Sequence, residues 1–322
     1  MKIVVDVFGC DDPAAMIRGV AKTVNEVDGV TLLVAGKRGY IEEILQKEEY
    51  DRSRVEILDA DEVIDNSDSP MAAVKSKKNS SLAVAMRRLK EDDEAVALVS
   101  CGNTGAVLGA SVFLLGRSEG ISRPALATLF PADNGKFTCL ADCGANVDCR
   151  PEQLLRFAEI ASDYVKSFCG VENPKVALLS VGTEDKKGNE QTRAAFALLK
   201  ESSLNFVGNM EAKTALTGDV DVIVSDGFAG NVLMKGIEGT AKSVAGRIAA
   251  LLKKNAPAGM DMTFVKKAFG ELQKQLDFNS MGGAVLLGVE KIVVKGHGSA
   301  NEDTVVNTVK QAIKTYEGGF CR

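Results

Sequence analysis

The chain has 322 residues, 45% of them hydrophobic and 26% charged, and a formal charge of −5. That length buries a large core, as one α/β unit or two lobes, and the acidic balance argues against a nucleic-acid protein, which normally carries a basic field. No stretch comes near the roughly eighteen uninterrupted apolar residues of a membrane span, so none is expected.

Residues 2–7 predict a strand that opens the chain with no apolar leader, and 13–27 a helix. The pair repeats at 31–35 and 39–47, and 55–58 adds a strand. Asp61, Asp65 and Asp68 in the following polar loop lack the glycine turn and closing glutamate of a calcium loop, and read as solvated. A helix over 71–90 is interrupted at Asn79-Ser80-Ser81, where a serine caps the second half. Strand 95–99 leads to a helix over 105–115. Strands 125–130 and 137–142 flank Asp133-Asn134-Gly135, a hairpin signal that implies some antiparallel content. Pro151 opens a helix. Strand 176–181, helix 189–200, short strands at 205–207 and 292–294, and a helix over 302–316 complete the pattern. Trp is absent and aromatics are only 5%, so the core is built from Val, Leu, Ile and Ala, as in parallel strands covered on both faces.

Seven cysteines are odd in number and scattered, and Cys139, Cys143 and Cys149 fit no usual zinc spacing. His297 is the only histidine, which excludes a histidine-based metal cluster. The cysteines read as thiols of a reducing cytoplasm, with Cys101 or Cys143 as a nucleophile the minor alternative. A cytoplasmic location is expected.

Two stretches share one design. Ser225-Asp226-Gly227-Phe228-Ala229-Gly230-Asn231-Val232-Leu233 matches Ser100-Cys101-Gly102-Asn103-Thr104-Gly105-Ala106-Val107-Leu108 as Ser-x-Gly-x-x-Gly-x-Val-Leu, without a gap. Each carries an apolar strand into a glycine turn and a helix start, where unpaired N–H groups and the helix dipole favour phosphate or carboxylate. Strands also end at Cys143-Gly144-Ala145-Asn146 and at Gly182-Thr183-Glu184-Asp185-Lys186-Lys187-Gly188-Asn189. Each glycine either turns a strand into a helix or holds an oxyanion. Four such corners together predict a cleft at the carboxyl edge of a parallel sheet, with the loops of Asn103, Lys187 and Asn231 converging on one rim.

Residues 234–276 carry eight Lys/Arg against three acids, a local charge of +5 in an acidic chain. Ile237, Ala241, Val244, Ile248 and Leu251 recur at helical spacing, as do Val265, Phe269, Leu272 and Leu276 after the break Asn255-Ala256-Pro257-Ala258-Gly259. This predicts a helical hairpin, basic on one side and apolar on the other. It packs on the body or on a twin subunit, or it meets an anionic membrane surface or an acidic partner protein.

Taken together, these residues resemble the bacterial phosphate acyltransferases of phospholipid synthesis, the PlsX type, nearly end to end. The blocks that carry the resemblance are Cys101-Gly102-Asn103-Thr104-Gly105-Ala106, Arg123-Pro124-Ala125-Leu126-Ala127-Thr128, Gly144-Ala145-Asn146-Val147-Asp148-Cys149-Arg150-Pro151-Glu152, Lys187-Gly188-Asn189-Glu190, Asp226-Gly227-Phe228-Ala229-Gly230-Asn231, Gly282-Gly283-Ala284 and Gly296-His297-Gly298-Ser299. Where the family usually has Gly-Gly-Asp-His before proline, the chain reads Gly9-Cys10-Asp11-Asp12-Pro13, and Val285 stands where a proline is usual. The resemblance implies a three-layer α/β sandwich like the isocitrate and isopropylmalate dehydrogenases, one domain over residues 1–322 acting as a homodimer. It implies an enzyme that transfers a long-chain acyl group from acyl-(acyl carrier protein) to inorganic phosphate, with no metal or organic cofactor, feeding a membrane glycerol-3-phosphate acyltransferase.

For that chemistry Gly102, Asn103, Thr104, Gly105, Asn146, Gly227, Gly230 and Asn231 are the candidate phosphate-binding residues. The asparagines orient phosphate or cap turns. Lys187 is a cationic clamp, an oxyanion donor or a solvated loop lysine. His297 protonates the leaving thiolate, binds phosphate, or is structural. Asp226 orients a lysine or histidine, or caps a helix. The rival functions are a coenzyme A-dependent phosphotransacetylase and a membrane-associated protein that binds an acyl or anionic ligand without turning it over. The lack of Gly-x-Gly-x-x-Gly after the first strand argues against a nicotinamide dehydrogenase.

Overall fold

A computed structural model describes residues 1–257, 261, 263–276 and 282–320. Ala258 and Gly259, named above, and Cys321, one of the seven cysteines, lie outside them. The strands are β1 (Lys2–Asp6), β2 (Thr31–Gly36), β3 (Val55–Asp59), β4 (Ala95–Ser100), β5 (Ala125–Pro131), β6 (Phe137–Ala141), β7 (Lys175–Ser180), β8 (Asn205–Glu211), β9 (Val222–Val224), β10 (Ala284–Leu287) and β11 (Ile292–Lys295). The helices are α1 (Pro13–Glu26), α2 (Arg38–Leu45), α3 (Pro70–Ser76), α4 (Ser81–Glu91), α5 (Thr104–Ala110), α6 (Pro151–Cys169), α7 (Glu190–Glu201), α8 (Gly227–Asn255), α9 (Thr263–Leu276) and α10 (Glu302–Glu317). Local chemistry sets several of their ends. Pro13 and Pro151 occupy the first turns of α1 and α6, Ser80 caps α4 through the Ala83 N–H, and Gly170 closes α6 in the left-handed region at φ +71°. Beyond α5 the helical path widens into a π turn, Ser111–Leu115.

All strands join one 11-stranded sheet in the order β3-β2-β1-β4-β11-β10-β5-β6-β9-β7-β8. One face is covered by α1, α2, α6, α7 and α10, and the other by α3, α4, α5 and the first turns of α8, which makes a three-layer α/β sandwich. The strands β4, β9 and β11 are buried along their whole length, as expected where both faces are covered.

Pairing is mainly parallel, but β11–β10, β10–β5 and β5–β6 are antiparallel. Three reversals are an odd number, so the group β6-β9-β7-β8 runs opposite to the group β3-β2-β1-β4-β11. This corrects the expectation of a single carboxyl rim: the corners after β4 and β11 leave the sheet in one direction, and those after β6, β9 and β7 in the other. Register nevertheless brings the two sets of strand ends together. Val5, Val99, Val294, Val285, Ala127, Ala141, Val224 and Leu178 stand in one row across eight neighbouring strands. The strands β1, β4 and β11 end one residue past this row, at Asp6, Ser100 and Lys295, and β6 and β9 end on it. The carboxyl ends of both halves therefore meet along a line through the middle of the sheet.

The hairpin forms from α8 and α9, although its apolar stripe gains little cover within this chain. The buried residues of α8 are Gly227, Gly230, Leu233 and Ala245, while Val244, Ile248, Leu251 and, on α9, Phe264 are exposed.

Candidate active site

A cleft of about 1030 Å³ lies on the α5/α8 face of the sheet, over the line where the strand ends meet. Leu126, Thr128 and Lys295 form its floor, Thr104 at the start of α5 one wall, and Asn231 to Gly246 of α8 the other. The loop Gly296-His297-Gly298, the turn Cys143-Gly144, Gly282-Gly283-Ala284 and Gly270 of α9 complete the lining.

The turn after β6 is built around Asp142, which has no exposed surface. Its Oδ1 accepts N–H bonds from Leu126, Gly144 and Ala145 at 3.0–3.1 Å, and its Oδ2 accepts from the Asn146 backbone N–H at 2.7 Å and the Asn146 side-chain amide at 2.9 Å. Five donors on one carboxylate fix the turn geometrically. The Asn146 amide also donates to the Pro124 carbonyl at 2.7 Å and the residue is buried, so Asn146 shapes the corner from inside.

The start of α8 then docks backbone to backbone on this turn. The Gly227 N–H donates to the Asn146 carbonyl at 2.7 Å. A methyl group at Gly227 would come within 2.6 Å of that oxygen, and one at Gly230 within 2.0 Å of the Asp142 carbonyl oxygen. Only glycine permits so close an approach. Asp226 caps the helix, Oδ1 accepting the Ala229 N–H at 2.7 Å. One turn on, Asn231 donates to the Cys143 carbonyl at 3.1 Å and keeps a second N–H and its own carbonyl for the cleft.

On the other half, Asn103 caps α5 through the Ala106 N–H at 3.0 Å, and its amide donates to the Asn66 carbonyl. The buried Gly102 N–H donates to the Ser100 hydroxyl at 3.2 Å, and Gly105 faces the Pro70 ring. His297 is exposed, and its Nδ1 lies 2.7 Å from the Ser299 hydroxyl and accepts the Ser299 backbone N–H at 3.3 Å. That acceptor role assigns the neutral ring's proton to Nε2. Asp12, the departure from the family turn, caps α1 by accepting the Ala15 N–H at 3.0 Å, and the Asp11 N–H donates to the Gly298 carbonyl at 3.0 Å.

Of the residues singled out from the sequence, Thr104, Cys143, Asn231 and His297 line the cleft. Gly102, Asn103, Gly105, Asn146, Asp226, Gly227 and Gly230 build the corners beside it. Lys187 is exposed, with its side chain against Gly182, and is not among the cleft residues. The cysteines are poor nucleophiles at neutral pH: burial pushes the Cys101 thiol up to about 12 and the Cys143 thiol well above its ordinary value.

Sequence reading passed over Asp6, Thr128 and Lys295. Lys295 carried a visible signal, a lone charge closing the apolar run Ile292-Val293-Val294 just before Gly296-His297-Gly298. Burial drives the Asp6 carboxyl from 3.8 up to about 6, against hydrogen bonds from Ser81 and Ser100. Among the described residues no group of three His, Cys, Asp or Glu side chains is placed to hold a metal ion, and no helix is long and apolar enough to cross a membrane.

The chain is similar in fold to the EutD phosphotransacetylase from Staphylococcus aureus, with TM-score 0.62 at 18% identity over 98% of this chain and 94% of that one. A 4-hydroxythreonine-4-phosphate dehydrogenase from Burkholderia phymatum gives 0.52 at 14% identity over 98% of each chain. In sequence it is 43% identical over 318 residues to a phosphate acyltransferase of Acetivibrio thermocellus, covering 98% of this chain and 93% of the relative. It is 38% identical over 321 residues to one of Clostridium novyi, covering 99% and 96%. Residues 1–322 match the family described as "Fatty acid synthesis protein", and the chain belongs to that family, the phosphate acyltransferases.

Proposed function

We propose that the chain moves a long-chain acyl group from acyl-(acyl carrier protein) to inorganic phosphate, releasing acyl-phosphate for phospholipid synthesis. The observation that carries this reading is the two-sided cleft. Asn231, Thr128, Thr104 and His297 offer hydrogen-bonding groups at its floor and rim, and Leu126, Met234, Ala241 and Ala245 supply apolar surface alongside, with the ion pair Glu238–Lys242 between them. A phosphate and an acyl carbonyl fit beside each other in such a site, with the acyl chain along α8.

In the reaction a phosphate oxygen attacks the thioester carbon, the C–O bond forms, and the C–S bond breaks with its electron pair leaving on sulfur. The Asn231 amide and the Thr104 hydroxyl are the donors for the developing oxyanion. His297, with its proton on Nε2, donates to the departing thiolate or to phosphate. The basic hairpin is the docking surface for the acidic carrier protein, and its exposed Leu251 and Phe264 suit contact with an anionic membrane or a twin subunit. A homodimer in peripheral contact with the membrane is part of this reading.

The test is incubation with palmitoyl-(acyl carrier protein) and phosphate, with acyl-phosphate trapped by hydroxylamine. Acyl hydroxamate that requires both phosphate and the carrier-bound donor is the expected result. Product formed equally well from a short-chain coenzyme A thioester makes the chain a phosphotransacetylase in practice, and no product from either donor overturns the reading.

A further inference from the structure

Lys295 closes β11 at the floor of the cleft. Register pairs Asp6 with Ser100 and Ser100 with Lys295 on adjacent strands, so the three side chains form a polar row on one face of the sheet. The Ser100 hydroxyl donates to Asp6 Oδ2 at 2.8 Å. Lys295 is only 9% exposed, yet it lines the cleft. Its ammonium donates to the Gly296 carbonyl, which uses one of three N–H donors, and among the described residues it has no carboxylate ion-pair partner.

A buried cation without a counter-charge is strongly disfavoured. Burial accordingly holds the Lys295 pKa below its ordinary value. Asp6, two strands away, is itself pushed toward its protonated form by burial, and both Asp6 and Asp11 favour the charged lysine only through space, without a salt bridge to it among the described residues. The other cations of the cleft differ. Lys235 and Lys242 are exposed, and Lys242 is paired with Glu238 at 2.5 Å, so water and a carboxylate already compensate them. Lys295 is the group whose environment is completed by an anion entering the cleft.

We propose that Lys295 is the phosphate-binding residue of the cleft, its two remaining N–H donors holding inorganic phosphate on the sheet floor beside Thr128 and His297. The proposal deepens the acyl-transfer reading and rests on it for the identity of the anion. Its location rests on the buried, unpaired ammonium alone. Lys295 keeps its proton throughout, while the phosphate oxygen it orients attacks the thioester carbon.

Two measurements on the full chain test this. First, the native protein is acetylated in phosphate or in chloride at matched ionic strength, and the modified peptides are weighed. Phosphate should protect Lys295 and leave Lys235 equally reactive. Second, Lys295→Met should raise the KM for phosphate about ten- to a hundredfold, the usual cost of a lost charged hydrogen bond, with the KM for the acyl donor little changed, and Lys295→Arg should recover part of the loss. An unchanged phosphate KM in Lys295→Met, or equal acetylation of Lys295 in both salts, overturns the assignment. Should Lys295→Met fail to fold, the protection experiment on the unaltered chain decides. Acyl-phosphate formed by a wild-type chain whose Lys295 is unprotected sinks the assignment and leaves the acyl-transfer reading standing. Protection in a chain that forms no acyl-phosphate sinks that reading and supports the anion site.

Discussion

Asp142→Asn should unfasten the corner on which α8 begins. In the native chain Oδ2 accepts both the backbone and the side-chain N–H of Asn146, at 2.7 and 2.9 Å, while Oδ1 accepts three further N–H groups. An amide nitrogen at the Oδ2 position turns two charged hydrogen bonds into donor–donor contacts, and the opposite flip spoils three. At about 1.5–3 kcal/mol for each hydrogen bond to a charged group, the gross loss is about 3–6 kcal/mol. Burial acts the other way, pushing the carboxyl pKa up, so removing the charge returns part of that cost and leaves a net loss of about 2–4 kcal/mol. Urea unfolding measures it: the midpoint should fall with the slope unchanged. Because Asp142 and Asn146 share these bonds, Asn146→Ala should cost much less in the Asp142→Asn background than alone. A variant within about 0.5 kcal/mol of wild type, the ordinary range for surface changes, would show that the five donors do not hold the corner.

Gly230→Ala should lose about 1–3 kcal/mol by overpacking, because the new methyl would meet the Asp142 carbonyl at 2.0 Å. Gly236→Ala, on the same helix with open space around it, should be neutral or gain up to about 1 kcal/mol. Asp6 has a folded pKa of about 6 against an ordinary 3.8, so the folded state holds the extra proton between those values. Stability from this group is full below pH 3.8 and falls as pH rises through about 6. Asp6→Asn should flatten that fall by roughly 3 kcal/mol, read from urea midpoints at about pH 3 and about pH 7. Asn231→Ala should lower kcat about a hundredfold as a lost oxyanion donor while thermal unfolding stays close to wild type. Cys143→Ser should keep its turnover, and iodoacetamide at neutral pH should not inactivate the wild type, since burial keeps the thiol protonated.

The elements were legible because their signals are local. Pro13, Pro151 and the serine at 80 mark helix starts in any context, and Asp133-Asn134-Gly135 marks the β5–β6 hairpin. The strand β10 was not, since Ala284-Val285-Leu286-Leu287 is only four residues long, lacks alternation, and sits between glycine turns. Missing it hid two of the three reversals, β11–β10 and β10–β5, and left only the β5–β6 reversal that the hairpin turn signals. Pairing direction belongs to partners far apart in the chain, and no residue of β6 announces that it runs opposite to β11. The site divided in the same way. Glycine corners and caps were readable from spacing, whereas the fate of a particular amide depends on tertiary neighbours: Asn231 reaches the cleft, Asn103 caps α5 next to it, and Asn146 is consumed by Asp142 and Pro124.

The opposed halves also explain how one cleft collects residues from corners that point apart. In an open parallel sheet, ligands lie outside the carboxyl ends, at the point where connections diverge. Here both sets of carboxyl ends fall within one residue of the row Val99-Val294-Val285-Ala127-Ala141-Val224. The β4 and β11 ends contribute Thr104, Lys295 and His297 from one side, and the β6 and β9 ends contribute Gly144 and Asn231 from the other. A slip of β10 against β5 by one residue would turn Leu286 to the opposite face and carry the two sets of ends out of line. The division of β10's apolar side chains between the two faces, with Val285 and Leu287 in one core and Leu286 in the other, is therefore what aligns the site, although no β10 side chain beyond Ala284 lines the cleft.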